Sequence, residues 1–148
     1  MITFKQHITE SLSSAYRYRK HQNKAFDNGA VMHTYSFDDS VGNYYEVECR
    51  YWWHTKTLEV LFSANYSTKK IGNSPSPVRV FSTVAAIIRE VYKPLKTEHA
   101  SIEFSADDDD SSRVRLYDRF ASHIAKEING TVKSHLSHDQ KVYTIEPV

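Results

Sequence analysis

Cys49 is the only thiol in the chain, and its neighbours decide whether it can be a nucleophile. It lies in Tyr45-Glu-Val-Glu-Cys-Arg-Tyr-Trp-Trp53, on the same parity as Tyr45, Val47, Tyr51 and Trp53. That parity is the apolar face of a strand. A reactive thiolate needs an electropositive, accessible position, so the pattern predicts a core thiol. Eight histidines raise the question of metal binding. His135 and His138, followed by Asp139, do not have zinc-site spacing and bring no third ligand from a defined element; they read as a solvated turn. His7, His21, His54, His99 and His123 are dispersed. The run Asp107 to Asp110 lacks the glycine and bidentate glutamate of a calcium loop and reads as a helix-capping and solubility device. No metal site is expected. The sequence holds no Ser-His-Asp arrangement, phosphate loop or dinucleotide fingerprint.

Charge is unevenly placed. Residues 1–26 carry Lys5, Arg17, Arg19, Lys20 and Lys24 against Glu10, a net of +4 within a chain whose total is +1. Tyr16-Arg-Tyr-Arg-Lys-His21 has the make-up of a phosphate contact, and equally that of a solvated helix face. No second basic surface stands in the sequence to make nucleic acid the preferred partner. At 148 residues, 40% apolar and 25% charged, the chain is long enough to bury one core without disulfides and has a globular composition. No apolar run approaches the roughly 20 residues that span a bilayer, and the N-terminus lacks the apolar core of a secretory signal. These features predict a soluble, intracellular protein with no membrane partner.

The elements that position these residues follow from periodicity. Phe4, Ile8, Leu12 and Ala15 predict a helix over residues 3–20 with Thr3 as its cap, and Lys20 to Lys24 reads as a linker. From Ala30 the period is two. Strands are expected at Val31 to Phe37, Tyr44 to His54 and Thr57 to Tyr66, an antiparallel meander. Outward positions on it include Tyr44, Trp52 and Leu61, so its second face is expected to be covered by helices or by a partner. A helix then begins at the Ser76-Pro77 pair, carries Phe81, Val84, Ala85, Ile88, Val91 and Tyr92, and ends at Pro94. A strand over Ser101 to Ala106, a helix over Ser112 to Ile128 ending at Asn129-Gly130, and two strands near Thr131–Leu136 and Lys141–Glu146 complete the chain. The fold class is α+β (α/β): one domain, with an antiparallel meander continuing into a mixed sheet covered by helices.

Over roughly residues 28–148 that order resembles the GCN5-related N-acetyltransferase fold. In that family a strand opens into a glycine-rich loop at a helix N-terminus, where backbone N–H groups and the helix dipole hold the pyrophosphate of acyl-CoA. The resemblance places this loop at Gly72-Asn-Ser-Pro-Ser-Pro-Val78 and implies Gly72, Asn73, Ser74 and Arg79 as contacts for acetyl-CoA. Pro75 and Pro77 depart from the family pattern by removing two N–H donors. A second likeness lies in Ser112-Arg-Val-Arg-Leu-Tyr117. It implies Tyr117 as general acid to the departing CoA thiolate, with Ser111 or Ser112 in the place of the family's asparagine. The usual Gly-Phe after this helix is missing. Tyr117 also falls on the apolar stripe with Val114, Phe120, Ala121 and Ile124, where a tyrosine packs. Glu46, Glu48, Glu59 and His33 are the candidates for a general base.

A narrower resemblance joins Val80-Phe-Ser-Thr-Val84, Ile102-Glu-Phe-Ser-Ala106 and Ser112 to Tyr117 to small tailed-bacteriophage proteins. Met1 to Glu10 resembles the capsid-targeting leaders of phage internal head proteins, with Ile8-Thr9-Glu10 as the cleavage pattern and Ser11 as the new N-terminus. Residues 1–27 then form an N-terminal helix or leader, and 28–148 the acetyltransferase-like domain. The expected function is that of a bacteriophage accessory protein in the host cytoplasm that binds a host or phage (virion) protein through Tyr44, Trp52 and Trp53. The alternatives are an acyl-CoA-dependent N-acyltransferase and a packaged component of the virion interior.

Overall fold

The computed structural model describes residues 15–21, 24–25, 30–65, 76–107 and 111–148. The strands are β1 (Tyr18–Lys20), β2 (Lys24–Ala25), β3 (Ala30–Asp38), β4 (Tyr44–Trp52), β5 (Thr57–Ala64), β6 (Ser101–Asp107), β7 (Gly130–Ser137) and β8 (Gln140–Pro147). Helix α1 (Pro77–Tyr92) runs into a 3-10 segment, Lys93–Glu98, and helix α2 is Ser111–Ile128. The sheet order is β1-β3-β4-β5-β6-β8-β7, with β2 also on β3. Every pairing is antiparallel except β5 with β6.

The turns follow local chemistry. The Asp39 carboxylate accepts from the Val41 and Asn43 amides at 3.0 and 2.9 Å, and Gly42 takes φ +89°, which closes the β3–β4 turn where its Asp/Gly/Asn set predicts it. Pro77 stands in the first turn of α1, where its missing N–H costs no helical bond. Pro94 does not end the chain's helical run. It sits in the first turn of the 3-10 segment, which stops at His99 with φ +54°. Asn129, at φ +56°, ends α2.

Alternation on β4 and β5 is strict. Tyr45, Val47, Cys49 and Tyr51, with Leu58, Val60, Phe62 and Ala64, are buried against α1 and α2, and the intervening residues are less covered. The two helices share one core with this face. Both lie on the same side because each crossover, β5–α1–β6 and β6–α2–β7, links parallel strands and steps the same way across the sheet. On the opposite face Leu61 is 38% exposed and Tyr44 and Trp52 are half-buried. Among the described residues no helix covers that face, so of the two covers expected from the sequence, helices or a partner, the first is not seen there.

The N-terminal expectation needs a second correction. Residues 18–20 are not the end of a helix: Tyr18, Arg19 and Lys20 pair with Phe37, Ser36 and Tyr35 of β3. Lys24 belongs to β2, not to a linker. Pairing with an existing edge supplies the bonds that a three-residue strand cannot make alone. Residues 3–14, the cleavage pattern at Glu10 and the cap at Thr3 lie outside the described residues. No helix among the described residues is long and apolar enough to cross a membrane.

Candidate functional site

The central parallel pair is short. β5 and β6 pair only at Thr57–Glu59 with Ser101–Glu103. Past this point β5 continues along β4 to Ala64, and β6 along β8 to Asp107, so a wedge opens at the carboxyl ends of the two strands. In sheets with helical crossovers such a crevice is where ligands bind.

Aromatic rings occupy this wedge. Tyr117 of α2 stacks on Phe62 of β5 at 5.4 Å between centroids, lies 6.1 Å from Phe104 of β6, and stacks on Tyr143 of β8 at 6.4 Å. Phe81 of α1 and Phe120 of α2 close over the same rings, at 5.3 Å from Tyr117 and 5.2 Å from Phe104 respectively. Ring contacts therefore bridge β5 to β6 where backbone pairing stops. Tyr117 is 3% exposed, the packing alternative that its stripe raised.

Of the acyl-CoA contacts implied by resemblance, Arg79 falls among the described residues. Gly72, Asn73 and Ser74 lie outside them. At the start of α1, Ser76 makes no side-chain cap bond, Pro77 has no N–H, and the Val80 N–H is donated to the Ser76 carbonyl at 3.1 Å. The Arg79 guanidinium lies 4.0 Å over the Tyr16 ring, a cation–π contact. Ser111 and Ser112 fall in the first turn of α2. Pro77 therefore removes one of the N–H groups at the start of α1, and the proposed acid, Tyr117, is buried in the core.

The candidate bases are scattered. Glu46, Glu48 and Glu59 stand on the uncovered face, away from Tyr117. Arg50 pairs with Glu48 at 3.1 Å and with Glu59 at 3.8 Å. His33 is on the helix-covered parity of β3, opposite Cys49, and burial, helped by Lys20, holds its pKa below the ordinary value. Cys49 is fully buried, and burial, with Glu48 adding, pushes its thiol up to about 12. It stays protonated at neutral pH. His135, His138 and Asp139 are exposed, and no group of metal-ligating side chains exists among the described residues.

The aromatic contact set also divides. Trp52 and Trp53 lie at one end of β4, and Trp53 is 55% exposed. Tyr44 starts the strand at its other end, eight residues or about 26 Å away at ~3.3 Å per residue. One small partner patch does not contain all three.

Sequence reasoning passed over the polar residues that anchor the sheet tyrosines. Tyr35 and Tyr18 both donate to the Glu90 carboxylate, at 2.8 and 3.3 Å, and Tyr51 donates to Glu98 at 2.6 Å. Asp118, next to Tyr117, accepts from Tyr143 at 2.5 Å and from Lys141 at 2.9 Å. Burial and these carboxylates raise the pKa of Tyr35, Tyr51 and Tyr143, that of Tyr51 to about 12. The signal available was the number of tyrosines on the sheet, ten in the chain, since a buried hydroxyl needs an acceptor. A second feature had no sequence signal: between α1 and α2 lies a groove of about 670 Å³ whose floor includes Val78, Phe81, Leu116 and Phe120.

In comparisons with protein-family models, with curated proteins and with solved structures, nothing matches this chain.

Proposed function

We propose that this chain is a bacteriophage accessory protein with an acetyltransferase-like fold, which acts in the host cytoplasm by binding a host or virion protein. Support for the fold comes from the element order after β3. Three antiparallel strands lead into a parallel pair, with a helix after each of its strands and a terminal hairpin, as the resemblance over residues 28–148 implies. The phage assignment rests on the three sequence blocks at Val80, Ile102 and Ser112.

Binding in preference to turnover is carried by one observation: Tyr117, the residue on which acyl transfer would depend, is packed between Phe62 and Tyr143 in the wedge between the central strands. A general acid has to reach the atom it protonates. A ring that is 3% exposed and packed against Phe62 and Tyr143 supports a packing role.

Two measurements test this reading. Affinity purification of the tagged protein from phage-infected cells is expected to recover one partner protein in stoichiometric amount, and recovery of none counts against binding. Calorimetry with acetyl-CoA is expected to give no saturable heat at millimolar ligand. Micromolar binding would instead establish the N-acyltransferase alternative.

A further inference from the structure

We propose that the cleft between α1 and α2 is a docking groove for an acidic amphipathic helix of a partner protein. This rests on the binding function proposed above and adds the surface and the chemistry of the partner.

The cleft is longer than its larger hollow. Beyond the roughly 670 Å³ space near Val78 and Leu116, a second of about 380 Å³ lies between Ile88 and Tyr92 of α1 and Ile124 and Ile128 of α2. Both follow the same helix pair, so the seam runs from Val78 to Tyr92, about 21 Å at ~1.5 Å per residue, and the Arg89–Glu127 ion pair crosses it at the smaller hollow. Its floor on α2 is Leu116, Phe120, Ile124 and Ile128, a row at steps of four. Rows of this spacing are the ridges against which another helix packs. Val78 is exposed, and Leu116 and Ile128 are only half-buried, so the floor retains apolar area to cover.

The rim is positive. Arg119 and Lys126 flank the larger hollow, and Lys93 and Lys96 the smaller. All four are exposed and none has an ion pair among the described residues. The carboxylates on the same rim are engaged, Asp118 with Lys141 and Tyr143, and Glu127 with Arg89 and His123. An apolar strip between free cations is complementary to an apolar stripe flanked by Asp and Glu.

The walls exclude an extended peptide. Away from their ends both helices bond their own backbone N–H and C=O groups, so the groove offers no strand edge to pair with. An occupant must satisfy its own backbone, and a helix does.

The test is a methyl-detected NMR titration of the full chain with three side-chain-stapled helical peptides of equal length: acidic amphipathic, basic amphipathic, and an acidic scramble without an apolar stripe. The acidic amphipathic peptide is expected to shift the methyls of Val78, Leu116 and Ile124 saturably. The other two peptides are expected to leave those methyls in place. Arg119→Glu with Lys126→Glu should weaken binding at least tenfold while the amide spectrum stays dispersed. The proposal is overturned by no saturable shift, by an equal response to the basic peptide, or by a response only to phosphatidylglycerol vesicles. Shifts confined to the uncovered sheet face, at Leu61 and Val142, would sink the groove and leave protein binding standing. Acetyl-CoA saturating the same methyls in place of the peptide would remove both readings.

Discussion

Arg89 of α1 grips Glu127 of α2 through two bonds, Nε to Oε2 at 3.1 Å and Nη2 to Oε1 at 2.6 Å. The pair crosses the seam between helices that also meet through ring packing such as Phe81 on Phe120, at 5.1 Å. His123 adds a third contact to the same carboxylate at 3.0 Å. A fork of this kind fixes orientation as well as adding energy. Because the Arg89 side chain is 60% exposed, water and salt weaken the gain. Arg89→Ala is expected to lower unfolding free energy by only about 0.5–1 kcal/mol, as read by urea denaturation. A loss above about 2 kcal/mol would show that the fork holds the two helices together.

Asp39 carries more. Its buried carboxylate accepts from two amides, from the Asn43 side chain at 2.7 Å and from the Tyr45 hydroxyl at 3.0 Å. Burial alone would raise its pKa, but the bonds from Asn43, Val41 and Tyr45 outweigh that and hold it below the ordinary value. The carboxylate is thus favoured in the folded state, and its contribution is complete above about pH 4, the ordinary Asp value. It is lost as pH falls through the lower folded value. Asp118 shifts in the same direction, its burial outweighed by Tyr143 and Lys141. Asp39→Ala is expected to cost about 1–3 kcal/mol at pH 7 and to flatten the decline of stability below pH 4. An unchanged acid limb would contradict this linkage.

Tyr117 separates packing from catalysis. Tyr117→Phe keeps the stacked ring and is expected to change stability by less than about 1.5 kcal/mol, with partner binding retained. Tyr117→Ala leaves a cavity among Phe62, Phe81, Phe104 and Tyr143 and is expected to cost about 3–5 kcal/mol. An acetyl-transfer rate abolished by Tyr117→Phe in a folded variant would restore the general-acid role.

Gly130 is a steric position. A Cβ there would sit 2.8 Å from the Glu146 carbonyl oxygen, a backbone atom, and 3.2 Å from Ile128 and Ile145 side-chain carbons. Close backbone approach of this kind is a reason for glycine in a strand. Gly130→Ala is expected to lower the midpoint of thermal unfolding by several degrees, as about 1–2 kcal/mol would in a domain of this size. No change would mean that the β7–β8 hairpin shifts to admit the methyl.

Legibility in the sequence followed the length of the repeating pattern. Val31 to Phe37, Tyr45 to Tyr51 and Leu58 to Ala64 alternate long enough to show period two, and Cys49 was placed in the core by parity alone. The stripes of α1 and α2 each extend over several turns and read as helix for the same reason. Tyr18 to Lys20 could not be read, because three residues hold no period and their conformation comes from β3. The placing of Tyr44 apart from Trp52 was implicit in a strand of known length. The seam between α1 and α2 was not.

The amino-acid order alone set the identity and sequence of the strands and α-helices from Ala30 onward, the buried parity of Cys49 and the apolar stripe that holds Tyr117, because each is a local pattern of side chains about a backbone of fixed pitch. Tertiary structure alone decided that β5 and β6 part after three residues, that Tyr117 meets Phe62 and Tyr143 in the gap, and that both helices share one face with a positively rimmed cleft between them. Those facts depend on sheet order and crossover hand, which bring together residues far apart along the chain and leave no periodic trace in it.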